Sequence, residues 1–322
     1  MISGAEREES RMRAVVVRTV GGPEALEVAE VPVPPTGVGR VRVRVEAAGV
    51  NPVDAATRSG ALIAAGLMAP RETIGIGWDV AGRVDAVGPG VSGYAPGDRV
   101  IGVRDRLDLS LGTYAEFVEL DAAALAPAPA GRSASEAATL PLNGLTALQA
   151  LDLLSVEPGG TLLVTGAAGA VGGFAVELAA LRGIRVVACA GAGDEAFARA
   201  VGARWFVPRT ADLAQAVRER VPGGVDAALD AAVLGLPALG AVRNRGAFVS
   251  VVAGAAPPPL RGITVAEQWI AADPTALARL ATLAATGRLT LRVADTLPLH
   301  EAVRAHQRLA AGGLRGRLVL TA

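Results

Sequence analysis

Lysine is absent from the 322 residues, so all 31 basic side chains are arginines, and they face 31 acids for a formal net charge of zero. No long basic run exists to track a phosphate backbone, and the footprint of a nucleic-acid-binding protein is therefore missing. The single cysteine, Cys189, excludes intrachain disulfides and every Cys-rich zinc site. It lies in the apolar run RVVACA, which suits a thiol packed as a small hydrophobe better than a reactive one. Only two histidines occur, His300 and His306 on a late helix, and they read as packing or surface residues rather than ligands. Aromatics make up 3% of the chain, so its cores must be built from Ala, Val and Leu. No segment reaches the ~18 uninterrupted apolar residues of a membrane span. The opening, MISGAEREES, is charged and lacks the apolar stretch of a secretion signal. The expected location is the cytoplasm, with a frayed N-terminus.

What is present is an ordinary soluble α/β composition, 51% apolar with 40 glycines, in a chain longer than the ~250 residues at which single cores stop growing. Two domains are expected. Residues 12 to 130 alternate short β-rich runs with Gly/Pro punctuation: MRAVVV, RVRVRVEAAGV, DVAGRVDAVG, DRVIGV and TYAEFVEL. The pattern changes at Ser133, which forms a capping-box pair with Glu136, and NGLTALQALDLL then reads as a helix. From there strands (TLLVTG, IRVVACA, WFV, VDAALD, GAFVSVV) alternate with helices, the signature of a parallel, doubly wound sheet. GITVAEQWI reads as one more strand, Asp273-Pro274 opens a further helix, and the β-rich tail RGRLVLTA is placed to rejoin the first domain.

The segment TLLVTGAAGAVGGFAVELAALRG runs from a strand through a glycine-rich turn into a helix, the context a dinucleotide-binding turn requires. Gly169 and Gly172 occupy the second and third glycine positions of GxGxxG, Ala167 replaces the first, and Gly166 sits just before it. Gly166, Ala168, Gly169, Ala170, Val171 and Gly172 form the expected cradle, with backbone N–H groups near Ala170 and Val171 facing a pyrophosphate at the helix N-terminus. An acid at the end of the second strand would bond the ribose hydroxyls of NAD. That place is held by Ala190 and Gly191, which leaves room for a 2′-phosphate and favours NADPH. Asp194 either opposes this preference or caps the helix that follows.

Taken in order, AAGVNPVDAATRSG, GWDVAGRVDAVGPGVSGYAPGDRV, GTYAEFVEL, LPLNGLTALQAL, VTGAAGAVGGFAVELA, GVDAALDAAV and RGRLVLTA resemble the zinc-free quinone oxidoreductase branch of the medium-chain dehydrogenase/reductase superfamily. The likeness runs from about residue 12 to the end. It implies a mainly-β GroES-like catalytic domain over 1–131, completed by 273–322, and a Rossmann NADP(H)-binding domain over 132–272. Where zinc-dependent relatives hold their catalytic metal with a Cys and a His-Glu pair, this chain carries Asn51 and Trp78-Asp79. The four-cysteine structural zinc loop is also missing, so no metal is expected.

Without a Lewis acid to polarise an alcohol or carbonyl, the substrates implied are quinones and conjugated enones, which accept hydride more readily. Asn51 matches the asparagine at the floor of the relatives' active site, where it either contacts substrate or cofactor or simply shapes the Asn-Pro turn. Asp54 is either a proton donor or a carboxylate bonded to its surroundings, and Trp78 either walls the substrate cavity or packs in the core. The resemblance places Thr146 below the nicotinamide with Asn143 on the same loop, the backbone of Val252 and Ala253 at the carboxamide, and Arg317 near the cofactor phosphates. Arg209, just after the third strand, stands where NADPH-binding relatives place a tyrosine or histidine against the adenosine phosphate. The tyrosine that some relatives carry after the Asn-Pro motif is replaced by Ala56 and Leu62, which widens the pocket. Two further readings are a reductase of enoyl thioesters carried on coenzyme A or a carrier protein, and an NADPH-binding protein without turnover. A homodimer through an exposed sheet edge is expected.

Overall fold

A computed structural model describes residues 10–322, so the N-terminal segment expected to fray, residues 1–9, lies outside the described residues. The first part of the chain supplies β1 (Arg11–Val17), β2 (Glu27–Pro32), β3 (Arg40–Val50), α1 (Pro52–Arg58), α2 (Ala61–Ala64), β4 (Ile74–Gly75), β5 (Asp79–Val87), β6 (Arg99–Val103), β7 (Phe117–Asp121) and β8 (Leu125–Pro127). The central strand, β3, shows why this order forms. Its first half alternates arginine out and valine in, with Val41, Val43 and Val45 buried, and its last four residues are buried on both faces. The switch from alternate to continuous burial marks where the strand passes beneath the rest of the molecule.

The second part begins with α3 (Ala134–Ala137), capped by the Ser133–Glu136 box read from the sequence, and α4 (Pro141–Leu154). It continues through β9 (Thr161–Thr165), α5 (Ala170–Leu181), β10 (Arg185–Ala190), α6 (Glu195–Ala200), β11 (Trp205–Pro208), α7 (Leu213–Arg220), β12 (Val225–Asp230), α8 (Leu236–Ala241), β13 (Val242–Ser250) and β14 (Thr264–Glu267). These six strands form one wholly parallel sheet in the order β11-β10-β9-β12-β13-β14. That is the Rossmann order, with its reversal between β9 and β12, and ligands bind outside the carboxyl ends of the strands at such a point. Cys189 on β10 is buried, and burial pushes its thiol up to about 11, consistent with an inert core residue.

The chain closes with α9 (Pro274–Ala285), β15 (Val293–Pro298), α10 (Ala302–Ala311) and β16 (Arg317–Thr321). Asp273 caps α9 by accepting from the Ala276 N–H at 2.9 Å. The tail returns to the first part of the chain: β16 pairs antiparallel with β3, Leu318 opposite Val50, and β15 extends the sheet beyond it. The mainly-β portion and the Rossmann portion share the largest hydrophobic cluster, which runs from Ile101 and Val103 through α4 to α5 and β9. No helix among the described residues is long and apolar enough to cross a membrane.

Candidate active site

Asn51 follows β3 and is the N-cap of α1, with Pro52 at the first helical position. Its backbone N–H donates to Asp54 Oδ2 at 2.7 Å, which fixes the carboxylate below the turn. The Asn51 amide nitrogen donates to both oxygens of Asp79 at 3.2 Å, and its oxygen accepts from the Asn143 amide at 3.1 Å. Arg317 completes the group by donating to Asn143 Oδ1 and to the Val50 carbonyl. All of these side chains are buried, so the network joins β3, β5, α4 and β16 out of contact with bulk water. Its close packing dictates the glycine before it: a Cβ on Gly49 would stand 2.6 Å from Asp79 Oδ1.

Burial raises both carboxyls, that of Asp79 to about 6 and that of Asp54 to about 7, against the opposing pull of Arg317 and of their hydrogen bonds. Asp54 Oδ2 also accepts from the Tyr114 hydroxyl at 3.0 Å, while Oδ1 has no partner. Behind Tyr114, His306 packs edge-on to its ring and accepts from Arg58 through Nδ1 at 2.9 Å. Burial, with Arg58 beside it, lowers the imidazole to about 4, so it is neutral at ordinary pH. The Trp78 indole is buried in the core, and its N–H donates to Thr57 Oγ1 at 3.3 Å. Arg317, expected near the cofactor phosphates, is buried in this network. Its guanidinium is turned inward and held by Val50 and Asn143, because the carboxylates of Asp79 and Asp54 need its charge.

The glycine-rich turn links β9 to α5. Gly166 sits at φ +60°, so it performs the tight-turn role that the sequence pattern assigned to the position held by Ala167. A Cβ on Gly172 would meet the Gly166 carbonyl oxygen at 2.2 Å, and one on Gly169 would meet it at 3.1 Å. The close approach at Gly172 therefore requires glycine and that at Gly169 is tight, and the cradle they form fits a dinucleotide. Ala168, Ala170 and Val171 complete the turn and open the helix. Thr146, half-buried on α4, lies on the same helix as Asn143. Val252 and Ala253 follow β13, where the Ser250 hydroxyl bonds the Val252 backbone.

At the far end of the turn, Ala190 and Gly191 close β10, and the Arg209 N–H donates to the Ala190 carbonyl at 2.7 Å. Arg209, Asp212, Leu234 and Pro237 line a crevice of about 480 Å³ beyond β11 and β12. Three residues that sequence reasoning missed lie around the crevice, the glycine turn and the end of β10. Asp230, at the end of β12, accepts from the N–H groups of Ala232, Leu234 and Gly235 and so shapes the loop beside the crevice. Arg292, preceding β15, donates to the carbonyls of Ala168 and Gly169 at 2.8 and 2.7 Å and lies 3.9 Å over the Phe197 ring. Arg315, preceding β16, donates to Asp194 at 2.6 Å. Only the acid at Asp230, inside the motif GVDAALDAAV, carried a local signal; the two arginines reach across from another part of the fold. His300 lies in the short turn before α10 rather than on the helix. Among the described residues no group of three His, Cys, Asp or Glu could hold a metal ion.

The sequence matches the models of the alcohol dehydrogenase GroES-like domain over residues 37–130 and of the zinc-binding dehydrogenase family over 201–320. It is 41% identical over 201 residues to a pikromycin polyketide synthase component of Streptomyces venezuelae, covering 61% of this chain and 5% of that protein. It is 38% identical over 190 residues to a chloroplast envelope quinone oxidoreductase homolog of Arabidopsis thaliana, covering 57% of this chain and 56% of the relative. The chain thus aligns with about half of the plant protein and a small part of the synthase. Among solved structures, an NAD-dependent alcohol dehydrogenase is 35% identical with a TM-score of 0.85, covering 97% of this chain and all of its own. A mycobacterial protein solved in complex with NADPH is 30% identical with a TM-score of 0.82, covering 97% of this chain and all of its own.

Proposed function

Because the chain belongs to the medium-chain dehydrogenase/reductase family and is quinone-oxidoreductase-like within it, we propose that this oxidoreductase uses NADPH, without zinc, to reduce a quinone or a conjugated enone. The observation that carries this reading is the seam between the two portions of the fold. The buried Asn51–Asp79–Asn143–Arg317 network lies in it, and Arg292 ties the Gly166–Gly172 cradle to the same seam through the Ala168 and Gly169 carbonyls. When bound, the cofactor supplies the hydride. The backbone of Gly169, Ala170 and Val171 holds its pyrophosphate, and Arg209 in the crevice takes the adenosine phosphate. NADPH is supported by the small Ala190-Gly191 pair with arginines around it, and by the mycobacterial neighbour that was solved with this cofactor.

Zinc independence is supported by the chemistry of the donors. The Asn51 amide is committed to Asp79 and Asn143, and Trp78 offers only an N–H, which binds no metal. Asn51 acts as a positioning residue: it fixes the end of β3 and ties Asp79 to α4. Proximity in a dry seam then does most of the chemical work.

The similarity to a polyketide synthase favours a second reading, reduction of an enoyl thioester. A screen of NADPH and NADH oxidation against quinones, enones and enoyl thioesters tests both. Turnover confined to thioesters would select the second reading. Turnover of simple alcohols that depends on added zinc would refute the first.

A further inference from the structure

The Rossmann rule assigns the ribose to an acid just past the second strand. Here that strand, β10, ends in Ala190, and the first acid after it is Asp194, in the turn Ala192–Asp194. The next acid, Glu195, is occupied by Arg199 on its own helix. Asp194 is itself engaged, through Oδ1, by Arg315 at 2.6 Å. The pair spans 121 positions of sequence and joins the cofactor portion to the segment that leads into β16. Room for it is made by glycines: a Cβ on Gly191 would stand 3.0 Å from Asp194 Oδ2, and one on Gly193 would stand 3.2 Å from Arg315 Nη2.

Arg315 does not hang from a loose loop. It is followed by Gly316, at φ +114°, where a Cβ would strike the Arg292 carbonyl at 2.6 Å. Arg317, two residues on, is fixed in the buried network. The guanidinium itself remains accessible, with two-thirds of the side chain exposed, while its partner Asp194 is mostly covered. An accessible cation on a rigid base, holding the one carboxylate at the ribose position, is arranged to change partners.

We propose that Arg315 is a specificity-determining residue, held by Asp194 in the empty protein and transferred to the 2′-phosphate when NADPH binds. The inference rests on the NADPH reading above and extends it to a residue outside the cofactor portion. A 2′-phosphate is repelled by Asp194 and attracted by Arg315 and Arg209, so binding breaks the ion pair and closes a phosphate–guanidinium contact in its place. A ribose without that phosphate leaves the pair intact and uses the free Oδ2 of Asp194 as its acceptor. The same two residues thus serve both cofactors in different pairings.

The test is equilibrium binding of NADPH, NADH and adenosine 2′,5′-bisphosphate to the full chain and to Arg315→Ala, Arg315→Lys, Asp194→Asn and the double variant Arg315→Ala/Asp194→Asn. Thermal melts check that each variant is folded. Arg315→Ala should weaken NADPH and the bisphosphate about tenfold or more and leave NADH within about twofold. Arg315→Lys, which keeps charge but loses the fork, should fall between. Asp194→Asn should tighten NADPH and weaken NADH, and loss of Arg315 should cost more NADPH affinity in the Asp194→Asn background, where no pair has to be broken. Equal effects of Arg315→Ala on both cofactors, or the same cost in both backgrounds, would overturn the exchange while leaving an NADPH preference standing. Tighter binding of NADH than NADPH by the unaltered protein would overturn the cofactor reading, and the ratio between variants would still decide the exchange.

Discussion

Replacing Asp54 by Asn should change how the stability of the protein depends on pH, and the size of the change follows from the surroundings of that carboxyl. Asp54 is fully buried, accepts from the Asn51 N–H and the Tyr114 hydroxyl through Oδ2, and has nothing opposite Oδ1. Its neighbours Asp79 and Tyr114 add no cation; Arg317 does, though not enough to offset burial, and the carboxyl rises from 3.8 to about 7. A group whose pKa is raised on folding favours the folded state while it is protonated. Its stabilisation is therefore complete below pH ~4 and is lost as pH rises toward 7. Between those limits each pH unit is worth about 1.4 kcal/mol, so the loss is about 4 kcal/mol, a large part of the ~5–15 kcal/mol of a typical domain. His306 acts with the opposite sign: lowered from 6.5 to about 4, it makes the fold more stable as pH rises through that range. Asp79, raised to about 6, acts with Asp54. The difference between wild-type and Asp54→Asn curves isolates the one carboxyl. At pH 4 the protonated carboxyl and the amide both present a donor that lacks an acceptor, so urea denaturation at pH 4, 5, 6, 7 and 8 should show the wild type losing stability relative to the variant as pH rises, by about 4 kcal/mol across the range. Parallel curves across that range would refute the reasoning.

Arg209→Ala should weaken NADPH roughly 10- to 100-fold, the worth of a charged hydrogen bond, and leave NADH nearly unaffected; equal losses in titrations of both would sink the assignment. Gly172→Ala should abolish binding of either cofactor, because its methyl would stand 2.2 Å from the Gly166 carbonyl; a retained NADPH signal in fluorescence would contradict the close approach. Asn51→Ala should lower stability by about 1–3 kcal/mol by leaving Asp79 and Asn143 short of partners, and should cut turnover more than NADPH affinity. Steady-state kinetics with unchanged kcat in a folded variant would count against a positioning role. Among the described residues β14 ends the parallel sheet with one edge unpaired, and Trp269 beside it is half exposed, so light scattering should give about twice 32.3 kDa; a concentration-independent monomer would refute pairing across this edge.

The parts of the fold that were legible in the sequence are those set by local rules. The alternation in RVRVRVEAAGV matches β3 residue for residue, the Ser133–Glu136 box opens α3, and the glycine spacing places the turn between β9 and α5. Elements without a local period were missed. β2, EVAEVP, is exposed or half-exposed along its length, so it carries no buried stripe to read, and GITVAEQWI forms only a four-residue strand. At the site the limit is sequence distance. Asn51 and Asn143 were legible as candidates, but their contact spans 92 positions, and the turning inward of Arg317 depends on partners 174 and 267 positions away. Tyr114 and His306 became part of the site only through Asp54 and Arg58, which no spacing rule connects to them.

Those distances also explain why the site and the fold must form together. A buried carboxylate such as Asp79 is costly without a cation, and the cation arrives on β16, near the end of the chain. Arg317 reaches Asn143 and brings its charge near Asp79 only when Leu318 pairs with Val50, so the return of the tail to the first sheet and the charge balance of the site are a single event. Asn143 comes from α4, in the middle of the chain, and its bond to Asn51 requires the cofactor portion to be docked. An arginine drawn into this network is committed to protein partners, so on the proposed NADPH reading the cationic contacts for the cofactor are those of Arg209 in the crevice and of Arg315, two residues before it. The sequence RGR at the start of β16 thereby divides its charges between two tasks, one arginine turned into the core to balance Asp79 and the other left at the surface beside Asp194.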